Sequence, residues 1–145
     1  MKAILNGNII ESSKINLFLG NRGFKYGDGL FETIALFGGH PRLLGLHLSR
    51  LHEGTEYLGI EVKQLLRQEK IEESIRLLQQ LNNAEHDGIV RLYIWRNGKG
   101  KYVPSGGDAG IMLTIEKTAL KSMHKVSEAG FSKKVVNYPS EFSRF

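Results

Sequence analysis

The stretch NRGFKYGDGLFETI, residues 21–34, brings two carboxylates into an apolar setting. Asp28 lies between Gly27 and Gly29, and Glu32 sits just inside a strongly apolar run. A carboxylate placed there needs a partner, because burying it alone is expensive. Arg22 is a candidate partner. The glycines let backbone approach backbone, or a ligand, with no side chain between. Tyr26 and Phe31 are either core residues beside a glycine-rich loop or the wall of a site. Composition alone favours the core, since buried aromatics are common.

Three arginines could bind an anion. Arg50 lies one turn after His47 and one turn before Gly54, so the three share one edge of a helix. A glycine inside a helix costs roughly 1 kcal/mol relative to alanine, and the close approach of another group would justify it. An arginine fork matches two phosphate oxygens at once. The plainer alternative is a surface arginine. Arg91 and Arg96 fall on one apolar run with opposite parity, so on a regular strand they cannot face the same pocket. The loop after them, NGKGKY, is a basic hairpin loop. It is not a P-loop, because no Gly-Lys-Ser/Thr opens a helix. His47 reads as helix packing. His40, His52, His86 and His124 lack metal-ligand spacing, so no metal is expected.

The chain has no cysteine, which removes disulfide scaffolds, thiolate metal sites and cysteine nucleophiles, and fits a cytoplasmic setting. Its net charge of +5 is spread among glutamates along the middle of the chain, so no nucleic-acid partner is expected. The N-terminal apolar run is too short for a signal peptide, and none reaches membrane-spanning length, so no membrane partner is expected either.

The elements that must position these groups follow from periodicity and turn chemistry. Lys2–Leu5 and Asn8–Ile10 form a hairpin through Asn6-Gly7. Leu30–Phe37 and Arg42–Leu44 form a second hairpin through Gly38-Gly39. Apolar spacing predicts a helix over Leu44–Leu58 and another from about Leu65 to Leu81, with Ile71, Ile75 and Leu78 inward. Ile89–Trp95 and Ile111–Ile115 are strands. Lys117–Glu128 reads as a connector and Gly130–Asn137 as a further strand. Strands group with strands and helices with helices. The expected class is α+β: an antiparallel sheet with two helices packed on one face. The expected domains are a small N-terminal unit, residues 1–117, and the start of a truncated second unit, residues 118–145.

The ordered set NG, RGFKYGDGLFET, HLSRL and WRNGKGKY is similar to the signature of the class IV, fold-type-IV pyridoxal-phosphate-dependent aminotransferases. That family includes branched-chain aminotransferases, D-amino-acid transaminases and aminodeoxychorismate lyases. The resemblance spans the chain but only the first half of a family enzyme. It implies pyridoxal 5'-phosphate as cofactor, small-molecule amino acid and 2-oxo acid substrates, and a homodimer. The alternatives are the lyase of 4-aminobenzoate and folate synthesis, and a non-catalytic binding module. By resemblance, Arg50 contacts the cofactor phosphate, Arg96 meets the substrate carboxylate, and Tyr26, Phe31 and Tyr102 line the substrate side. Branched-chain enzymes carry the carboxylate arginine earlier on the strand, near Arg91. The family's cofactor-bearing lysine follows a segment resembling NYPSEFSRF, so it is expected just beyond Phe145, and this chain alone is expected to be inactive. Lys133 and Lys134 read as strand residues instead.

Overall fold

The computed structural model describes residues 1–15, 21–62, 64–98, 103–104 and 106–118. Six strands build one sheet, β1 (Lys2–Leu5), β2 (Asn8–Glu11), β3 (Gly29–Phe37), β4 (His40–Pro41), β5 (Gly88–Arg96) and β6 (Ala109–Lys117). Its order is β2-β1-β6-β5-β3-β4, and every neighbouring pair is antiparallel. Helices α1 (Arg22–Tyr26), α2 (Leu44–Leu58) and α3 (Gln68–Asn82) complete the described elements. The α+β expectation holds. Tyr102, Lys133, Lys134, the connector beyond Thr118 and the strand expected over Gly130–Asn137 lie outside the described residues.

Local chemistry sets the sheet's register. In the first hairpin Leu5 pairs with Asn8, so the loop is Asn6-Gly7, both at positive φ (50° and 82°). That geometry matches the strands' own twist. Gly38 and Gly39 repeat it between Phe37 and His40, at φ 55° and 81°. Gly39 is also pressed against the loop before β5. Its N–H donates to His86 O at 2.6 Å, and a Cβ there would lie 2.4 Å from Glu85 O.

Two boundaries differ from expectation. The return strand of the second hairpin is His40–Pro41, not Arg42–Leu44. Leu43 turns into the left-handed region (φ 53°), and its carbonyl accepts from Leu46 and His47 as α2 begins. The second long helix starts at Gln68, because Arg67 is extended (ψ 130°) and residues 64–66 form a separate turn. Leu66 reaches the core from that turn rather than from the helix.

One face of the sheet carries the core. Ile34 and Leu36 of β3, Val90, Leu92 and Ile94 of β5, and Ile111, Leu113 and Ile115 of β6 join Leu44, Leu48 and Leu51 of α2 and Ile71, Ile75 and Leu78 of α3 in a single apolar cluster. Fully burying each such side chain contributes about 1.5–3 kcal/mol. The alternate residues face away from the helices. Register sets Phe31 opposite Tyr93, Thr33 opposite Arg91, and Tyr93 opposite Met112 on that second face. On the outer side of β3 the two-residue β4 covers only Leu36 and Phe37, so Gly29–Ile34 has no strand partner there among the described residues.

Candidate active site

The loop into β3 is built around Asp28. Asn21 caps α1, accepting from the N–H groups of Gly23 (2.8 Å) and Phe24 (3.3 Å), and Gly27 ends the helix at φ 64°. This one-turn helix returns Arg22 to Asp28, Nε to Oδ2 at 2.6 Å. Arg96, at the end of β5, donates from Nε to Asp28 Oδ2 at 3.1 Å and Oδ1 at 3.3 Å. Its Nη1 donates to Gly59 O at 2.8 Å and its Nη2 to Leu58 O. A cation there meets the carbonyls left open at the C-terminus of α2, where the helix dipole favours positive charge. Burial pushes the Asp28 carboxyl up, but the hydrogen bonds from Arg22 and Arg96 outweigh it and hold it below the usual carboxylate range.

Glu32 points to the helix side of β3, and its partners come from α2 rather than from Arg22. Arg50 donates from Nε to Oε1 at 2.6 Å and from Nη2 to Oε2, and His47 Nδ1 lies 2.7 Å from Oε2. The Arg50 hydrogen bonds hold Glu32 below the carboxylate range despite burial. The expected shared edge of His47, Arg50 and Gly54 is present. The group that crowds Gly54 is Leu30, whose Cδ1 would lie 2.7 Å from an added Cβ. Arg50 keeps 70% of its side chain exposed, and its Nη1 has no hydrogen-bond partner among the described residues.

A pocket of about 570 Å³ opens between α1, β3 and β5, with Phe24, Phe31, Tyr93, Trp95 and Met112 among its walls. Phe31 is 65% exposed and Tyr26 is 44% exposed, so neither is a core residue of this domain. The Phe31 and Tyr93 rings stand 6.2 Å apart. Tyr26 lies outside the pocket lining, with the Arg22 guanidinium 5.0 Å from its ring centroid.

The expected site residues are thus brought together only in part. Phe31 stands on the face of the sheet that carries Arg91 and Tyr93, whereas Arg96 is buried on the helix side, with 9% of its side chain exposed. Arg91 pairs there with Glu116 through Nη1. Tyr93, Trp95 and Met112 were not singled out by sequence. The signal for Tyr93 and Trp95 was that Ile89–Trp95 is largely apolar on both faces, Arg91 apart, and for Met112 that residues 111–113 are an unbroken apolar run, as in strands covered on both sides.

This layered sheet, with its glycine-rich loop and anchored arginines, defines a class of domain, and comparison with known proteins assigns it. Residues 29–145 match the family model described as Amino-transferase class IV, and the chain belongs to that family. It is 29% identical over 119 residues to D-alanine aminotransferase of Bacillus licheniformis, which covers 82% of this chain and 40% of that protein. The 4-amino-4-deoxychorismate lyase structure from Pseudomonas aeruginosa superposes with a TM-score of 0.60 at 32% identity, over 77% of this chain and 38% of that one. The branched-chain aminotransferase structure from Thermoproteus uzoniensis gives a TM-score of 0.71 at 18% identity, over 82% of this chain and 41% of its own, a likeness of fold. The chain therefore spans about two-fifths of the relatives it matches, from their N-terminal portion.

Proposed function

We propose that the intact protein is a pyridoxal-phosphate-dependent enzyme that transfers an amino group between an amino acid and a 2-oxo acid. Residues 1–117 serve as its small domain, and a second domain begins at about residue 118. The observation that carries the reading is the Arg50 guanidinium, anchored on one side by Glu32 and open to solvent on the other. Such a group fits a phosphate, because its remaining N–H groups can meet two oxygens together. When bound, the cofactor supplies the electron sink that loosens bonds at an amino acid's α-carbon. The chain's own residues bind and enclose. Arg50 holds the phosphate and Phe31 lines the substrate side and keeps water from it, while Tyr26 and Tyr102 are assigned to that side by the family resemblance alone. In this reading the family's cofactor-bearing lysine belongs to the segment after Phe145. A homodimer in the cytoplasm is part of the same proposal. The alternative, supported by the likeness to the Pseudomonas enzyme, is an aminodeoxychorismate lyase.

Two arginines compete for the substrate carboxylate. The loop match favours Arg96, which would have to release Asp28, Leu58 and Gly59 to serve. A specific observation favours Arg91 instead: it shares a sheet face with Phe31 and Tyr93, and its partner Glu116 is half exposed and easily displaced. Steady-state kinetics on the intact protein decides. Arg91→Ala is expected to raise the substrate KM by tens of fold or more, the scale of about 2–5 kcal/mol for losing a charged partner of a desolvated anion, with unfolding unchanged. Arg96→Ala is expected to act on stability first. A stable Arg96→Ala enzyme with a raised KM, beside an Arg91→Ala enzyme like the parent, would restore the loop reading.

A further inference from the structure

Glu32 is an anomaly if Arg50 alone is the phosphate ligand. It is a buried carboxylate on the core side of a strand, between Leu30 and Ile34, in a place where an apolar residue would pack at no electrostatic cost. Both of its oxygens are engaged, taking two bonds from Arg50 and one from the ring nitrogen of His47. All three groups stand beside the stretch of β3 that lacks a strand partner among the described residues.

We propose that Glu32 is a positioning residue: by gripping the Nε–Nη2 side of Arg50, it fixes the guanidinium so that the Nη1 edge faces an anion beside the open edge of β3. This rests on the cofactor reading above. The geometry separates the two sides of one planar group. Nε and one N–H of Nη2 are spent on the carboxylate, so a phosphate can be met only by Nη1 and the second N–H of Nη2. That is still a two-point fork, and it is aimed before the ligand arrives. A free arginine as exposed as this one would sample many rotamers and lose that freedom on binding. His47 completes the grip from one turn earlier on α2, with its Nδ1 on Glu32 Oε2 at 2.7 Å and 3.5 Å from Arg50 Nη2. The held carboxylate also stays ionised because Arg50 bonds it, so the grip and the charge that maintains it come from the same pair. A pair that served only to staple α2 to β3 would stabilise the fold and leave ligand affinity untouched.

The test compares pyridoxal 5'-phosphate with pyridoxal, which lacks the phosphate, as ligands of the intact protein, by equilibrium dialysis beside thermal unfolding of the ligand-free form. Glu32→Gln is expected to weaken binding of the phosphorylated ligand roughly three- to tenfold, the cost of ordering one rotamer-rich side chain. Pyridoxal should bind as before. In an Arg50→Ala background the same substitution should change neither affinity. Arg50→Lys guards against a Glu32 variant that does not fold, because position 50 is exposed. It keeps the cation but cannot grip Glu32 and present a fork together, so it too should favour pyridoxal 5'-phosphate less than the parent does. Should Glu32→Gln lower thermal stability while both ligands bind as in the parent, or should Arg50→Lys bind like the parent, the pair is a structural staple and the inference fails. If Arg50→Ala itself keeps full affinity for pyridoxal 5'-phosphate, the phosphate reading of Arg50 fails, and the inference with it.

Discussion

The Asp28→Asn variant of the intact protein is expected to lose about 3–5 kcal/mol of stability in urea unfolding, the scale set by removing one partner from a buried ion cluster. Asparagine keeps the shape of the side chain, so no cavity enters the comparison. What changes is that the Asp28 charge paired with both Arg22 and Arg96 is removed. Asp28 is 12% exposed, so solvent screens the cluster little. By contrast, breaking the more exposed Arg91–Glu116 pair should cost no more than about 1 kcal/mol. The pH dependence has a definite sign. The folded carboxyl sits below its ordinary value, so its contribution is present above the ordinary Asp range, about pH 4. It fades as pH falls through the lowered folded value. Parent and variant should therefore differ most near neutrality and converge in acid. A variant as stable as the parent at pH 7 would show that the cluster contributes little.

Gly29→Ala is the second large effect. A Cβ at Gly29 would lie 2.4 Å from Ile94 O and 3.1 Å from Trp95 Cα, both backbone atoms of the neighbouring strand. Neither can rotate away, so β3 and β5 must separate where they hold Asp28 against Arg96. The expected loss is about 3 kcal/mol or more, at the upper end of overpacking costs. Gly27→Ala is the internal comparison. Its φ is 64°, but open space surrounds it, so the penalty is only the left-handed backbone cost of about 1–2 kcal/mol. Two denaturant curves separate the cases. Equal losses at the two positions would mean that the loop relaxes and that the close approach does not constrain it.

These glycines show how far the sequence could be read. That a glycine beside Asp28 allows backbone approach was legible, although Gly27 stands in open space and Gly29 alone meets the neighbouring strand, at Ile94 O and Trp95. Gly23, Gly29 and Gly110 all lie against Trp95, a convergence of three chain segments that no local pattern displays. The Asn-Gly and Gly-Gly turns and the limits of α2 were legible, because turn chemistry and helical spacing act over a few residues. The five-residue α1 was missed, although Asn21 before it and Gly27 after it are ordinary cap signals. Arg22 as a carboxylate partner was legible across six residues. Arg50 as the partner of Glu32, eighteen residues on, was not, since it depends on how α2 crosses β3. The placement of Arg96 on the carbonyls of Leu58 and Gly59 is likewise tertiary, and parity could say only that it faces away from Arg91.

The most direct test of amino-group transfer is a half-reaction on the intact protein loaded with pyridoxal 5'-phosphate and kept free of any acceptor. A panel of L- and D-amino acids is added singly, and 2-oxo acid is measured by mass spectrometry together with the cofactor's visible absorbance. The expected result is one equivalent of 2-oxo acid per bound cofactor with at least one amino acid, and recovery of the starting absorbance when a different 2-oxo acid is supplied. Sustained release of pyruvate from aminodeoxychorismate, with no 2-oxo acid formed from any amino acid, would contradict transfer and assign the protein to the lyases.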